Sequence, residues 1–570
     1  WVPGWLLRSP GTVWMIGVSA VGWGLLTIWL GLAVHGLYVL FGTAAAWFLL
    51  WLIGAGDLAI ASLGIGGLAF TFTLLLRLMR WVLSAPREVP SVAGSVLLEA
   101  TRTRLSLAFI SILLILLPLM PIWLDPASPL RHRVQTMISR SLGTTFAIAA
   151  CLTVVLACAT VAFEIRDRQI WQVVSKPVGR FRYLLGKWVG ILALNACILC
   201  VAGCGVFIFL QYQRAQPVAA GIEGELDRLA VEEEVLTARR SASPAMELLT
   251  PEQLDARVEA RIDADPDLRG HEDIELALRR KIRVEMQQQF IAQQRSIPPM
   301  RGGETFQRTY EFPGLAAAKK IGAPIALRSQ FHILSSSDHE TYRVGLIFND
   351  DPATRQVLTY VPTMTHVTLV PASLINDEGT LLVSIFNLYE PPPGKEGRGA
   401  VSFDPGKLQV LYRVGDFEGN FLRALIMLWI KLAFLAALGL AAATFLSFPV
   451  ACLASFTVFA AGTLAPWLSE SLQLYVPPAA GSVDWGNTGM VIQWAFENVI
   501  RGIATALVFV LDGFGQFQPT QRLVQGMDIP WAAVVRGALV IGVLWSSITL
   551  FVGGSVLRRR QLAIYSGHGG

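Results

Sequence analysis

Apolar runs recur along this chain at lengths that only a lipid bilayer explains. Runs fall at Leu105–Leu124, Thr144–Phe163, Trp188–Leu210, Phe421–Phe445, Ala451–Leu464 and Ala532–Leu557. Crossing a bilayer takes ~20 apolar residues. Earlier runs near Val13–Ala33, Leu37–Ile53 and Leu58–Leu78 make an N-terminal transmembrane block, residues 1–80, of two to three spans. Of 570 residues 53% are hydrophobic and 15% charged, against ~25% charged in soluble domains. The expected fold is a polytopic α-helical membrane protein, multi-pass in the cell (inner, cytoplasmic) membrane. Met490–Leu511 is amphipathic, with Glu497 and Arg501 four residues apart, and suits an external re-entrant or interfacial helix. The chain starts at Trp1, which leaves its natural start open, and no cleavable signal peptide is legible.

Charge orients the spans. Net charge is +5, but the bases sit in loops beside spans, where they set topology rather than bind nucleic acid. Glu164–Lys187 carries Arg166, Arg168, Lys176, Arg180, Arg182 and Lys187 against Glu164 and Asp167, which places it on the cytoplasmic side. Arg77, Arg80 and Arg87 put the end of the third run there too, and Arg558-Arg559-Arg560 stops the last span inside. Arg131, Arg133 and Arg140, on the outer side of this arrangement, oppose it and are outweighed.

Between the two sets of spans the composition changes. Residues 213–420 hold no spanning run and fall outside the cytoplasm by span count. Residues 213–302 read as a helical stalk. Glu223–Arg240 has helical periodicity, Thr250-Pro251 supplies a cap and a first-turn proline, and Glu275–Gln294 continues the pattern. The acidic run Glu232-Glu233-Glu234 reads as a solvated helix face. Residues 303–417 switch to period two. Strands are expected near Glu304–Phe312, Pro324–Leu334, Thr341–Phe348, Val357–Tyr360, His366–Val370, Thr380–Asn387, Ala400–Phe403 and Lys407–Tyr412. Short strands at this spacing imply an antiparallel β-sandwich or jelly roll, hence an extracytoplasmic α+β domain. Its aromatics, Tyr310, Phe331, Tyr342, Phe348, Tyr360 and Phe386, are expected in its core.

Glu164–Lys187 has a pattern beyond its charge. An acid, basic-polar residues and an apolar turn lead to Ser175-Lys176-Pro177-Val178, then Arg180, then Leu184-Leu185-Gly186-Lys187. This resembles the first cytoplasmic loop of ABC-2-type ABC transporter permeases. KLAFLAALGLAAATFLSFPVACLASF resembles the fourth and fifth spans of that family, as does a last span ending in arginines. The resemblance covers residues 88–212 and 421–565, the two halves of a permease core. It implies that the loop forms a coupling helix docked on separate ABC ATPase subunits, which bind ATP and magnesium. The residues it implicates are Glu164, Arg166, Arg168, Gln169, Trp171, Lys176, Arg180 and Arg182. It also implies an elbow helix before the first core span, here with Glu99 and Arg102, and a second permease copy or related permease as partner. The N-terminal spans and the outer insertion depart from the family and point to a specialised subfamily.

Other chemistry is not legible. The nearest approach to a P-loop, Gly179–Lys187, has the wrong glycine spacing and Trp188 where magnesium needs Ser or Thr. There is no HExxH, GxSxG or Cys/His zinc spacing, so no catalytic, cofactor or metal site is expected in this chain. All six cysteines lie in apolar runs, and Cys197, Cys200 and Cys204, at helical spacing on one face, read as small buried residues. Lys187 reads as a cation at the headgroups, and Asn195 as an amide bonded to a neighbouring helix. Expected partners are ATPase subunits, a second permease, membrane lipids, and an envelope protein or glycan at the β domain. Three functions follow. One is an ATP-driven exporter subunit. Another is a mechanotransmitting subunit acting on an envelope partner. The third is an ATP-independent receptor or scaffold.

Overall fold

The computed structural model describes residues 29–125, 127–167, 179–215, 222–264, 272–300, 305–333, 341–361, 364–389, 399–474, 488–515 and 517–559. The chain divides into two compact units: one takes the chain up to Leu236 and again from Phe417, the other is Thr237–Asp416.

The first unit is helical. Its elements are α1 (Ala33–Leu52), α2 (Gly56–Val82), the elbow α3 (Glu88–Arg102), α4 (Arg104–Leu119), α5 (Leu130–Arg166), α6 (Arg180–Arg214), the short α7 (Ile222–Ala230), α8 (Phe417–Ala443), α9 (Phe448–Leu474), α10 (Thr488–Gly515), α11 (Pro519–Val524) and α12 (Trp531–Arg559). Eight helices among the described residues are long and apolar enough to cross a membrane. The first expected run, Val13–Ala33, falls largely outside the described residues, and Met490–Leu511 lies within α10, which packs on α9.

Two of these helices are far longer than their apolar runs. α5 has 37 residues and so reaches about 56 Å, against a hydrocarbon core of ~30 Å. Arg131 and Arg133, expected in a loop, therefore sit on its first turns. The amides of Leu130 and Arg131 donate to the Asp227 carboxylate of α7, which caps the helix from a distant point in sequence. The acidic run beyond α7 is not a free face. Glu234 pairs with Arg131 at 2.7 Å and Glu232 with Arg214 at 2.5 Å.

Close packing of small residues and indole hydrogen bonds join α5, α6 and α8. The Trp188 indole donates to the Ala433 carbonyl at 2.8 Å, and Trp429 returns a bond to the Leu192 carbonyl at 3.0 Å. The Thr153 hydroxyl donates to the Asn195 side chain at 3.0 Å, the interhelical role expected of that amide. The core runs through these helices, with Ala149, Ala157, Leu194, Ala436, Ala437 and Leu440 buried. Cys158 and Cys197 belong to it, whereas Cys200 and Cys204 are exposed on α6, contrary to the buried reading of the Cys197, Cys200 and Cys204 face.

The second unit is antiparallel β with helices. Its strands are β1 (Thr237–Ala242), β2 (Ser296–Ile297), β3 (Gln307–Phe312), β4 (Ile325–Gln330), β5 (His332–Ile333), β6 (Tyr342–Phe348), β7 (Asp351–Tyr360), β8 (Thr365–Val370), β9 (Leu381–Asn387), β10 (Val401–Ser402) and β11 (Leu408–Asp416). They form sheets ordered β1-β11-β4-β8, β3-β9-β6-β7 and β2-β10-β5. Alternation drives the inward faces: Tyr342, Val344, Leu346 and Phe348 of β6 are buried, as are Leu381, Val383 and Ile385 of β9. Asn349 and Asp350 both take positive φ in the tight β6–β7 turn, the geometry that suits a two-residue hairpin. Thr250 and Gln253 exchange backbone-to-side-chain bonds of 3.3 and 3.4 Å, a capping box that starts the helix Pro251–Ala264. Phe386 is half-buried, while Tyr310, Phe331, Tyr342, Phe348 and Tyr360 are in the core.

The stretch Glu223–Arg240, expected to be one helix within a helical segment 213–302, is not. It is helical over Ile222–Ala230, makes a π turn at Val231–Val235 and becomes strand at Thr237–Ala242. β1 pairs with β11, from Thr237 against Asp416 to Ala242 against Val410. That ladder outweighs the local helical pattern.

Candidate functional site

Each end of the 164–187 segment is held by hydrogen bonds. The last turn of α5 presents Glu164, and the first two turns of α6 present Tyr183 and Lys187. Lys187 Nζ donates to Glu164 Oε1 at 2.7 Å and to the Thr160 carbonyl at 2.9 Å. The Tyr183 hydroxyl donates to Glu164 Oε2. The ammonium also lies 5.2 Å from the centre of the Tyr183 ring, within cation–π range. The Lys187 side chain is 2% exposed and that of Glu164 22%. Lys187 is thus a buried ion-pair partner and not a headgroup cation, because the helical hairpin brings it back onto the last turn of α5.

The elbow completes this cluster. Gly186 and Gly190 occupy one face of α6 and let α3 come close. A Cβ on Gly186 would sit 2.7 Å from Val92 Cβ, and one on Gly190 2.7 Å from the Ala93 carbonyl oxygen. Four-residue spacing of small residues is the usual route to such contacts between helices in lipid. Ala93, Val96, Leu97 and Ala100 are fully buried as a result. Glu99 is half-buried, and desolvation holds its carboxyl above the usual carboxylate range, with Lys187 working against this and Glu164 with it. Arg102 is exposed and lines a shallow groove with Ser95, Leu98, Glu99 and Thr103. Arg80 of α2 donates to the Thr101 hydroxyl at 2.6 Å, which ties the N-terminal helices to the elbow.

Two arginines of the segment bind other elements. Arg180 Nη1 donates to the carbonyls of Leu557 and Arg558 at 2.7 and 2.8 Å, closing the C-terminus of α12, where a cation also complements the helix dipole. Arg182 Nη1 meets both Glu88 oxygens, at 3.1 and 3.2 Å, on the first turn of α3. Arg166 is exposed. It pairs with Asp167 at 2.8 Å and lies over the Phe163 ring at 4.8 Å. That bond holds the Asp167 carboxyl below its ordinary range. Arg168, Gln169, Trp171 and Lys176 lie outside the described residues.

Of the residues expected to act together, Glu164 pairs with Lys187, Glu99 lies within electrostatic reach of the same ammonium, and Arg180 and Arg182 reach α12 and α3. Tyr183, Lys187 and Glu88 complete the arrangement and were not singled out as site residues by sequence. The available signal was the pairing of an acid that ends one span with a base that begins the next. Searches against protein-family models, curated proteins and solved structures found no match.

Proposed function

We propose that this chain is the membrane subunit of an ATP-driven ABC-2-type exporter, acting with separate ATPase subunits and a second permease copy or related permease. In this reading residues 164–187 face the cytoplasm and dock on the ATPase, which supplies the energy that this chain has no motif to supply. The observation that carries it is the way the segment is tethered. Its two flanks join one another through Glu164 and Lys187, the elbow through Arg182 and Glu88, and the last helix through Arg180. Force applied to the segment then moves four helices together, as a two-state transport cycle requires. The second unit is read as an extracytoplasmic β-sandwich.

The test is affinity purification of the chain from solubilised membranes of its native host, beside Arg168→Glu/Trp171→Ala. An ATPase that co-purifies with the wild type and is lost from the variant supports the reading. Recovery of no ATPase with either removes the energy source and favours the receptor or scaffold. A second reading, the mechanotransmitter, draws on the compactness of Thr237–Asp416 as a unit of its own. It predicts ATP-dependent action on an envelope partner with no substrate crossing.

A further inference from the structure

The end of the helical unit remote from Glu164 and Lys187 contains a cavity of 170 Å³ between α2, α4, α5 and α6. Pro118, Pro121 and Phe209 contribute apolar wall, and Asp57, Arg133 and Tyr212 contribute polar groups. Arg133 is 9% exposed, and its Nε has no hydrogen-bond partner among the described residues. A buried guanidinium donor left unmatched is costly. The neighbouring cations differ: Arg131 and Arg214 have their acids in Glu234 and Glu232.

Asp57, on the first turn of α2, faces the same cavity, and no ion pair within 4.0 Å joins it to Arg133 among the described residues. The cavity therefore offers one positive and one negative group held apart. A simple anion meets the repulsion of Asp57, and a simple cation that of Arg133. A ligand that carries both charges on separated atoms satisfies both. Arginine's planar fork matches phosphate oxygens, and a carboxylate matches an ammonium.

We propose that this cavity binds a phosphate–ammonium zwitterion of the ethanolamine type, with the phosphate on Arg133 and the ammonium towards Asp57. Its apolar wall between candidate membrane-spanning helices suits a phospholipid bearing that headgroup. Free phosphoethanolamine carries the same chemistry.

The experiment uses the full chain, delipidated in detergent, with native mass spectrometry and thermal unfolding as readouts. Added probes are phosphatidylethanolamine, phosphatidylglycerol and free phosphoethanolamine. Wild type is expected to retain phosphatidylethanolamine about tenfold over phosphatidylglycerol, the scale of one charge-assisted contact. Arg133→Met is expected to lose retention of both lipids, and Asp57→Asn to lose the preference between them. In the absence of lipid, Arg133→Met is expected to unfold at or above the wild-type temperature, since it removes an unmatched buried cation. Stabilisation by phosphatidylethanolamine alone assigns the membrane as source, and stabilisation by free phosphoethanolamine assigns a soluble one. Equal retention of the two lipids by wild type overturns the proposal, as does retention unchanged in Arg133→Met. Should Arg133→Met not fold, an unchanged lipid preference in Asp57→Asn, at an exposed position, overturns it as well.

Discussion

Breaking the Lys187–Glu164 pair is expected to cost far more from one side than from the other. Glu164→Leu leaves an ammonium whose side chain is 2% exposed with only the Thr160 carbonyl and the Tyr183 ring. Removing one partner of a buried pair costs ~3–5 kcal/mol, and this case belongs at about 4. Lys187→Met leaves a carboxylate that is 22% exposed and still accepts the Tyr183 hydroxyl. Water reaches it, so about 2 kcal/mol is expected. Lys187→Met/Glu164→Leu removes both charges and replaces them with apolar groups of similar size, and should fall within ~1 kcal/mol of wild type. Denaturant titration of the four proteins in detergent closes a double-mutant cycle with a coupling of about 5 kcal/mol in favour of the pair. Additive single effects, or a Glu164→Leu that costs no more than Lys187→Met, would refute the reasoning.

Other perturbations follow from the same geometry. Gly190→Leu drives a side chain into the Ala93 backbone and should loosen the elbow, costing about 3 kcal/mol in the same denaturant titration, and an unchanged midpoint would contradict this. Gly526 has φ +65°, and a Cβ there collides with the Glu234 carbonyl, so Gly526→Ala should cost about 2 kcal/mol or more in unfolding free energy. Arg423 and Asp528 pair at 2.8 Å with side chains 12% and 2% exposed, and Arg423→Met should destabilise by about 3 kcal/mol in the same titration. Desolvation holds the Glu99 carboxyl above the usual carboxylate range in the folded chain. Its ionisation therefore erodes stability as pH rises from about 4.5, and Glu99→Gln should gain on wild type towards neutral pH. Unfolding temperatures that stay parallel from pH 4 to 8 would contradict this.

The spans were legible because burial in lipid writes itself as long apolar runs, and β3, β4, β6, β8 and β9 because their inward residues alternate. What stayed hidden depends on distant partners. β1 follows directly on a helical pattern of apolar residues, Leu226 to Leu236, and only its pairing with β11, far along the chain, makes it a strand. Arg180 reads as a loop cation and turns out to close α12, which no local pattern announces. Lys187 follows a glycine at a span boundary, the usual place for a headgroup cation, yet hairpin geometry buries it. Asp227, within a run of charged residues, gives no sign that it caps α5.

The central claim is that residues 164–187 touch an ATPase. A photo-crosslinking amino acid at position 171, within that segment, tests this directly in native membranes. The account predicts an adduct with a protein whose peptides contain a nucleotide-binding P-loop, and weaker labelling after nucleotide depletion. Adducts with lipid alone, or with proteins that carry no such motif, would contradict it.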